Sequence, residues 1–289
     1  MAARRLLLVD GTAVAYRAFF AIPELCTRAG RPTNAVYGFI RMLRQILDHW
    51  NPSHAAVAFD GGLPQERVEL LAEYKAQRRP MPEKLREQLP LVEEYLDRAN
   101  MAWTRREGIE ADDAIASLVM WAQPQAEEIL IATSDKDMYQ LVNDSVRIVP
   151  LSGKKDAIGP AEVQARTGVA PNQIVEWLAL VGDASDNISG VAGIGPKTAA
   201  KILAETGSLD HFWGQPECVQ SEKIRAAILA NRELVERNIA MVRLRTDLPV
   251  PFDWGQMEVR APDAGRLLAF FDKLEFGSLA RELRERRLL

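Results

Sequence analysis

Histidine and cysteine are scarce in this chain, and their scarcity removes whole classes of chemistry. Three histidines (His49, His54, His211) and two cysteines (Cys26, Cys218) occur in 289 residues. No two histidines stand at a ligand spacing and neither cysteine lies in a Cys-x-x-Cys pattern, which argues against a zinc site and against a disulfide framework. The two cysteines read as buried thiols. Long apolar runs are missing as well: in "MAARRLLLVDG" the run after the two arginines is four residues long and ends on Asp10, too short for a signal core or a membrane span. The expectation is a cytoplasmic protein. A basic excess is also lacking, since the net charge is -4, where a nucleic-acid protein is expected to be basic. That total misleads if acids are concentrated in one place: setting aside nine clustered carboxylates turns -4 into +5, enough to permit a basic surface.

What the chain does have is 47% hydrophobic content, ample for one large domain or two modest ones. "RLLLVD" (5–10), "AAVAFD" (55–60), "EILIATSD" (128–135) and "VRIVPL" (146–151) read as strands, the middle two apolar throughout, as buried parallel strands are. Helix-period apolar positions occupy 33–50, 81–100 and 110–122. The alternation predicts an α/β domain with a parallel sheet, whose ligands gather beyond the carboxyl ends of the strands. From about residue 160 the strand signals stop and Gly- and Pro-punctuated helices follow. The segment 62–82, charged and proline-bounded, reads as a mobile basic excursion from the sheet.

Acids recur at strand ends and helix starts. "LLLVDG" supplies Asp10, "AVAFDG" Asp60, "GIEADDA" Glu110, Asp112 and Asp113, "TSDKDMYQL" Asp135 and Asp137, and "GDASDN" Asp183 and Asp186. Any one of them alone reads equally well as a helix cap or a turn residue. Five separated clusters brought to one sheet edge read better as a cation site, and oxygen-only donors suit Mg²⁺ or Mn²⁺. In "GVAGIGPKTAAKIL", Gly190, Gly193 and Gly195 permit a tight turn, Pro196 can open the next helix, and Lys197 and Lys201 add charge beside Thr198. A helix amino terminus favours anions, so the turn is a candidate phosphate grip, although a plain connector would read the same way. Lys75 and Arg78 read either as a solvated helix face or, beside such a site, as candidates to clamp a reacting phosphate, and Tyr16 is either a core aromatic or a platform for a base.

On "LLLVDG", "AVYGF", "YKAQR", "EADD", "TSDKDMYQL", "GDASDN" and "GVAGIGPKTAAKIL", in that order, the chain resembles the bacterial 5′ nuclease family, which comprises the 5′ to 3′ exonuclease domain of DNA polymerase I and stand-alone flap endonucleases. The resemblance implies a PIN-like α/β core with a mostly parallel sheet and a helical arch at about 62–100, together filling 1–159. It further implies a helical part over 160–289 with a helix-three-turn-helix DNA-binding element at about 171–206. Carried over by position, Asp10, Asp60, Glu110 and Asp112 form a first metal site with Asp113 nearby, and Asp135, Asp137, Asp183 and Asp186 a second. Two Mg²⁺ ions are implied, with Mn²⁺ able to substitute, and K⁺ at the hairpin. Lys75 and Arg78 match arch residues at the scissile phosphate, Tyr16 a base-stacking aromatic, and Gly190 to Gly195 the hairpin that binds duplex backbone. Two departures stand out: Glu66 precedes Arg67 where many members carry phenylalanine, and Asn34 stands where glycine is common.

The function expected is a metal-dependent nuclease that hydrolyses phosphodiesters at 5′ flaps, nicks or RNA primers in replication and repair. Its partners are branched or nicked duplex DNA with a 5′ single strand and RNA-DNA hybrid, and a monomer is expected. A non-catalytic junction-binding module is the alternative from another class, disfavoured by the full acid set; a PIN-type ribonuclease would be shorter and lack arch and hairpin. "LEFGSLARELRER" resembles the point where polymerase chains continue, so both a stand-alone protein and the front of a polymerase I remain open.

Overall fold

The apolar runs that lack a polar face do so because both faces of their sheet are covered. In the computed structural model, which describes residues 4–152 and 156–286, five strands lie parallel: β1 (Arg5–Asp10), β2 (His54–Phe59), β3 (Ala102–Arg105), β4 (Glu128–Ala132) and β5 (Val146–Val149). Their order is β3-β2-β1-β4-β5. Leu7 stands opposite Ala55 and Leu130, and Val9 opposite Val57 and Ala132. With a period of two, Leu6, Leu8, Ile129 and Ile131 enter one core while Leu7, Val9 and Leu130 enter another on the opposite face.

The chain leaves β1 in one direction, builds β2 and β3, and returns to β4 on the other side of β1. That reversal is the topological switch point, where a crevice opens beyond the strand ends. Helices α1 (Gly11–Ala21), α2 (Asn34–Trp50), α3 (Gln65–Leu70), α4 (Glu83–Arg86), α5 (Leu89–Arg98) and α6 (Ala111–Ala122) connect the strands. After β5 come α7 (Pro160–Thr167), α8 (Ile174–Val181), the two-residue strands β6 (Gly182–Asp183) and β7 (Ile188–Ser189), α9 (Pro196–Thr206), α10 (Leu209–Gly214), α11 (Glu222–Ala230), α12 (Arg232–Val242), α13 (Ala264–Lys273) and α14 (Gly277–Arg286). Apolar residues of α6 through α12 share the first core, whereas α13 crosses back and packs Phe270 and Phe271 with Tyr95 of α5 in the second. Among the described residues no helix is long and apolar enough to cross a membrane.

Three sequence expectations are corrected. The helix over 81–100 is broken into α4 and α5, because Pro90 in the first turn of α5 cannot donate a backbone hydrogen bond and starts a new helix. α1 and β3 appear where no element was expected. Cys26 is exposed and Cys218 partly buried, Cys26 because it lies on the surface loop between α1 and α2.

At the break between α4 and α5 sits Gln88, fully buried. α2 has no side-chain cap of its own from Thr33; instead Gln88 Oε1 accepts from the Ala35 and Val36 amides at 2.8 and 3.3 Å. Gln88 Nε2 donates to Asn34 Oδ1 at 3.0 Å, and Asn34 Nδ2 donates to the Phe19 carbonyl at 3.0 Å. The asparagine that departs from the family pattern thus ties the end of α1, the start of α2 and the α4–α5 joint together. Replacing Gln88 with alanine removes the acceptor of two amides and the donor to two carbonyl oxygens, Asn34 Oδ1 and the Lys84 carbonyl. Gln88→Ala should cost about 2 to 4 kcal/mol in urea unfolding. A loss under about 0.5 kcal/mol would mean that water satisfies those groups in its place.

Candidate metal centre

Each cleft acid is held where it is by the backbone that follows or faces it. Asp10 ends β1 and caps α1, its Oδ1 accepting from the Ala13 amide at 2.8 Å and its Oδ2 from the Thr133 hydroxyl at 3.0 Å. Asp60 follows β2 and accepts from the Ala111 amide at 2.8 Å, capping α6, whose own N-cap Glu110 makes no such bond. Asp135, beyond β4, accepts from the Asp137 amide at 2.9 Å. Helix capping and a role in the cleft therefore coexist: one oxygen is fixed and the carboxylate is aimed. Asp10, Asp60, Asp112 and Asp135 line one cleft of about 470 Å³, together with Tyr16, Lys75, Arg78, Arg79 and Met81.

A narrow recess adjoins the cleft, lined by Glu110, Asp112, Asp137 and Asp186 with Arg67, Tyr74 and Lys75. Asp135 thus lines the cleft with Asp10, Asp60 and Asp112, and Glu110 the recess with Asp137 and Asp186, while Asp112 borders both. Asp183 is buried, its Oδ1 accepting from the Ser185 amide at 2.8 Å and its Oδ2 standing 3.3 Å from Lys136 Nζ. Asp113 is not brought to this group. It is 1% exposed and both its oxygens accept from Arg67, at 2.8 and 2.9 Å.

The basic segment does not stand away from the sheet, as the sequence suggested; it folds onto the acids, because its cations find carboxylates there. Lys75 pairs with Glu110 and lies 3.5 Å from Asp186, Arg78 pairs with Asp186, and the buried Tyr74 hydroxyl donates to Glu110 and Asp186 at 3.1 and 3.2 Å. The Lys75 amide donates to the Asp186 carbonyl at 3.0 Å, and Lys75 itself has a left-handed backbone, φ 54°, of the strained kind found at sites of positioning. Burial works against the Lys75 charge, but Glu110 and Asp186 hold its pKa above the usual lysine value.

The acids without cations carry the strain of like charge. Burial first, then Asp60, raises Asp10 to about 7; burial, Asp135 and Asp183 raise Asp137 to about 8. Asp112 is pushed well above the carboxylate range by burial and by Asp135, Asp10 and Asp60. Asp183 goes the other way, since Ser185 and Lys136 outweigh its burial. Among the described residues no three acidic, histidine or cysteine side chains converge as a ready ligand set, and Glu110, Asp183 and Asp186 are paired with lysine and arginine. The donor chemistry nevertheless fits a hard divalent cation: all donors are oxygen, their negative charge is undercompensated, and the buried Oδ1 of Asp137 has no hydrogen-bond partner.

The glycine-rich turn is built into the same unit. β6 and β7 pair antiparallel, Asp183 opposite Ile188, and Asn238 of α12 donates to the Ala179 and Ser189 carbonyls at 3.0 and 2.8 Å. Gly182 has φ 79°, and a side chain on Gly190 would collide with the carbonyls of Leu180 and Val181, so Gly190 serves this close approach. Beyond it, Val191 and Ile194 anchor a turn through Gly193, φ 84°, with the Ile194 amide donating to the Val191 carbonyl at 3.0 Å. The amides of Ala192, Gly193 and Gly195 donate to no acceptor among the described residues, and all three residues are exposed. Lys197 is exposed at the start of α9, Thr198 is partly buried, and Lys201 lies 3.7 Å from Glu205.

Glu66 lines neither the cleft nor the recess and stands 3.6 Å from Arg245. Sequence reasoning did not single out Tyr74, Lys136, Thr133 or Asn238. Lys136 had a signal, a lysine flanked by two aspartates in "SDKD"; Asn238 had none, because its partners are carbonyls far along the chain.

A family model for the 5′-3′ exonuclease N-terminal resolvase-like domain matches residues 5–168, and one for the 5′-3′ exonuclease C-terminal SAM fold matches residues 169–265. The 5′-3′ exonuclease of Aquifex aeolicus is 36% identical over 281 residues, covering 97% of this chain and 95% of that protein. The thermostable DNA polymerase I of Thermus thermophilus is 42% identical over 278 residues, covering 96% of this chain, which spans only 33% of the polymerase. In fold, the chain is similar to a variant of the bacteriophage T5 flap endonuclease solved with DNA and metal ions, at a TM-score of 0.70, 21% identity and 98% coverage of each chain.

Without divalent ions the raised carboxylates make stability fall with pH. Unfolded aspartates titrate near about 4, whereas in the fold Asp10 keeps its proton up to about 7 and Asp137 up to about 8. Across that interval the folded chain binds more protons than the unfolded one, so raising the pH through it removes stability. In chelator the melting temperature should be higher at about pH 6 than at about pH 8.5, and Asp112→Asn should raise it further at the upper end. A flat or rising profile would mean that the cleft acids are already compensated.

Proposed function

Since the chain belongs to the 5′-3′ exonuclease family, we propose that it is a structure-specific 5′ nuclease acting at the junction between a 5′ single strand and duplex DNA, on flaps and nicks and on RNA primers. One observation carries this: four carboxylates from three strand ends and a helix start share a cleft with Lys75 and Arg78, and the acid loop beyond it continues directly into an amide-bearing turn. The T5 relative solved with DNA and metal ions supports the same partners here.

Asp10, Asp60, Asp112 and Asp135, with Glu110, Asp137, Asp183 and Asp186 behind them, would hold two Mg²⁺ ions, or Mn²⁺ in their place. Such ions, when bound, activate the attacking water and offset charge on the phosphate. Lys75 and Arg78, released from Glu110 and Asp186, direct positive charge at the phosphate as its own charge develops. Tyr16, on the cleft wall and stacked on Phe20, faces the base beside the cut. The free amides at Ala192, Gly193 and Gly195, with Lys197, grip duplex backbone.

The test is cleavage of an end-labelled 5′-flap duplex with and without Mg²⁺, mapping the product ends. Cutting near the junction should require the ion, and Asp135→Asn should lower single-turnover cleavage by orders of magnitude while the fold remains. Tight flap binding without cutting in Mg²⁺ would leave a junction-binding module; full activity in excess chelator would remove the metal. Lys197→Ala, separately, should weaken duplex binding alike across sequences and lower the salt slope of log K by about one. An unchanged slope makes the turn a connector.

A further inference from the structure

Arg67 is buried, 6% exposed, and every one of its five N–H groups has an acceptor. Nε donates to the Met241 carbonyl at 3.0 Å. Nη1 donates to Glu110 Oε2 and, at 2.9 Å, to Asp113 Oδ2; Nη2 donates to Asp113 Oδ1 at 2.8 Å and to the Arg243 carbonyl at 3.2 Å. Met241 and Arg243 lie at the carboxyl end of α12, where unpaired carbonyls favour a cation. Asp113 Oδ1 also accepts from the Arg245 amide at 2.9 Å. Three pieces of chain therefore meet on one planar group: the basic segment, the first turn of α6, and the exit of α12.

We infer that Arg67 is a positioning residue for Glu110, and that Asp113 acts as the counter-ion that orients Arg67 rather than as a cation ligand. The inference rests on the assignment of Glu110 to a divalent ion made above. Arg67 fixes Glu110 Oε2, and the other oxygen, Oε1, is the one that accepts from Lys75. The bidentate pair with Asp113 sets the plane of the guanidinium, and the α12 carbonyls set its depth. A lysine at this position would keep the charge and lose the fork. Partners that orient a ligand in this way typically change ion affinity about 10- to 100-fold when replaced.

The experiment measures Mn²⁺ binding to the whole chain by titration calorimetry without DNA, alongside thermal melting and single-turnover flap cleavage. It uses the parent protein, Arg67→Lys, Asp113→Asn and the double variant. Arg67→Lys should weaken Mn²⁺ binding by about 10- to 100-fold and slow cleavage, while flap affinity in saturating Ca²⁺ holds. Asp113→Asn should also weaken the ion, and the double variant should be no worse than the weaker single one, because both act through one contact. If Arg67→Lys melts lower yet binds Mn²⁺ and cleaves like the parent, Arg67 is a structural ion pair and the inference is overturned. If the two effects multiply, Asp113 acts on the ion independently, which overturns its assignment. Asp112→Asn separates the two levels: should it bind Mn²⁺ like the parent, the metal assignment fails and this inference with it. Arg67→Gln, which keeps two donors, replaces Arg67→Lys if the latter does not fold.

Discussion

Repulsion among carboxylates in a partly dry cleft is the constraint around which this molecule is arranged. Burying Asp10, Asp112, Asp135 and Asp137, and then setting them beside one another, is unfavourable at neutral pH: burial first and their mutual repulsion second raise their pKa values. The surrounding structure answers in two ways. Backbone amides fix one oxygen each of Asp10, Asp60, Asp135 and Asp183, so the acids cannot turn away from one another. Cations drawn from elsewhere in the chain, Arg67, Lys75, Arg78 and Lys136, neutralise the acids at the back. What is left at the front is a deficit of positive charge, the condition under which a divalent ion is strongly favoured.

The same electrostatics explains why the basic segment is ordered in contact with the sheet edge. Its sequence, rich in charge and bounded by proline, has few apolar side chains to bury, and Leu63 and Leu70 remain exposed. Tyr74 and Arg67 are its anchors, and both are buried against acids. The segment's seat thus depends on the very groups that a divalent ion would engage. The first core extends that dependence, because α6 carries Asp112 into the cleft and also packs its apolar face on β1 and β2.

Much of this was legible in the sequence. The strands announced themselves because doubly buried parallel strands are apolar throughout, and the acids because they fall where strands end. α1 was hidden for the opposite reason: "GTAVAYRAFFA" is apolar nearly all round, so it has no contrasting face, although Asp10 supplied a cap signal. β3, four residues beside Phe59, was too short to show a pattern. Helix pattern alone did not separate Asp112 from Asp113, which only the resemblance set apart, since neighbours on a helix point about 100° apart and the packed structure says which one meets the cleft. The partner of Asp113 lies 46 residues away in sequence and gave no local sign.

The close approach of Gly182 and Gly190 has a metric consequence. With Gly190 backed against the Leu180 and Val181 carbonyls and Asn238 tying α8 to β7, the span from Asp183 to Gly193 is held at both ends. On the proposed function, a duplex seated on the turn presents its backbone to the acids at a fixed reach. The protein would then measure along the strand like a caliper, choosing the bond to be broken by distance from where the double helix is gripped, whatever bases lie between.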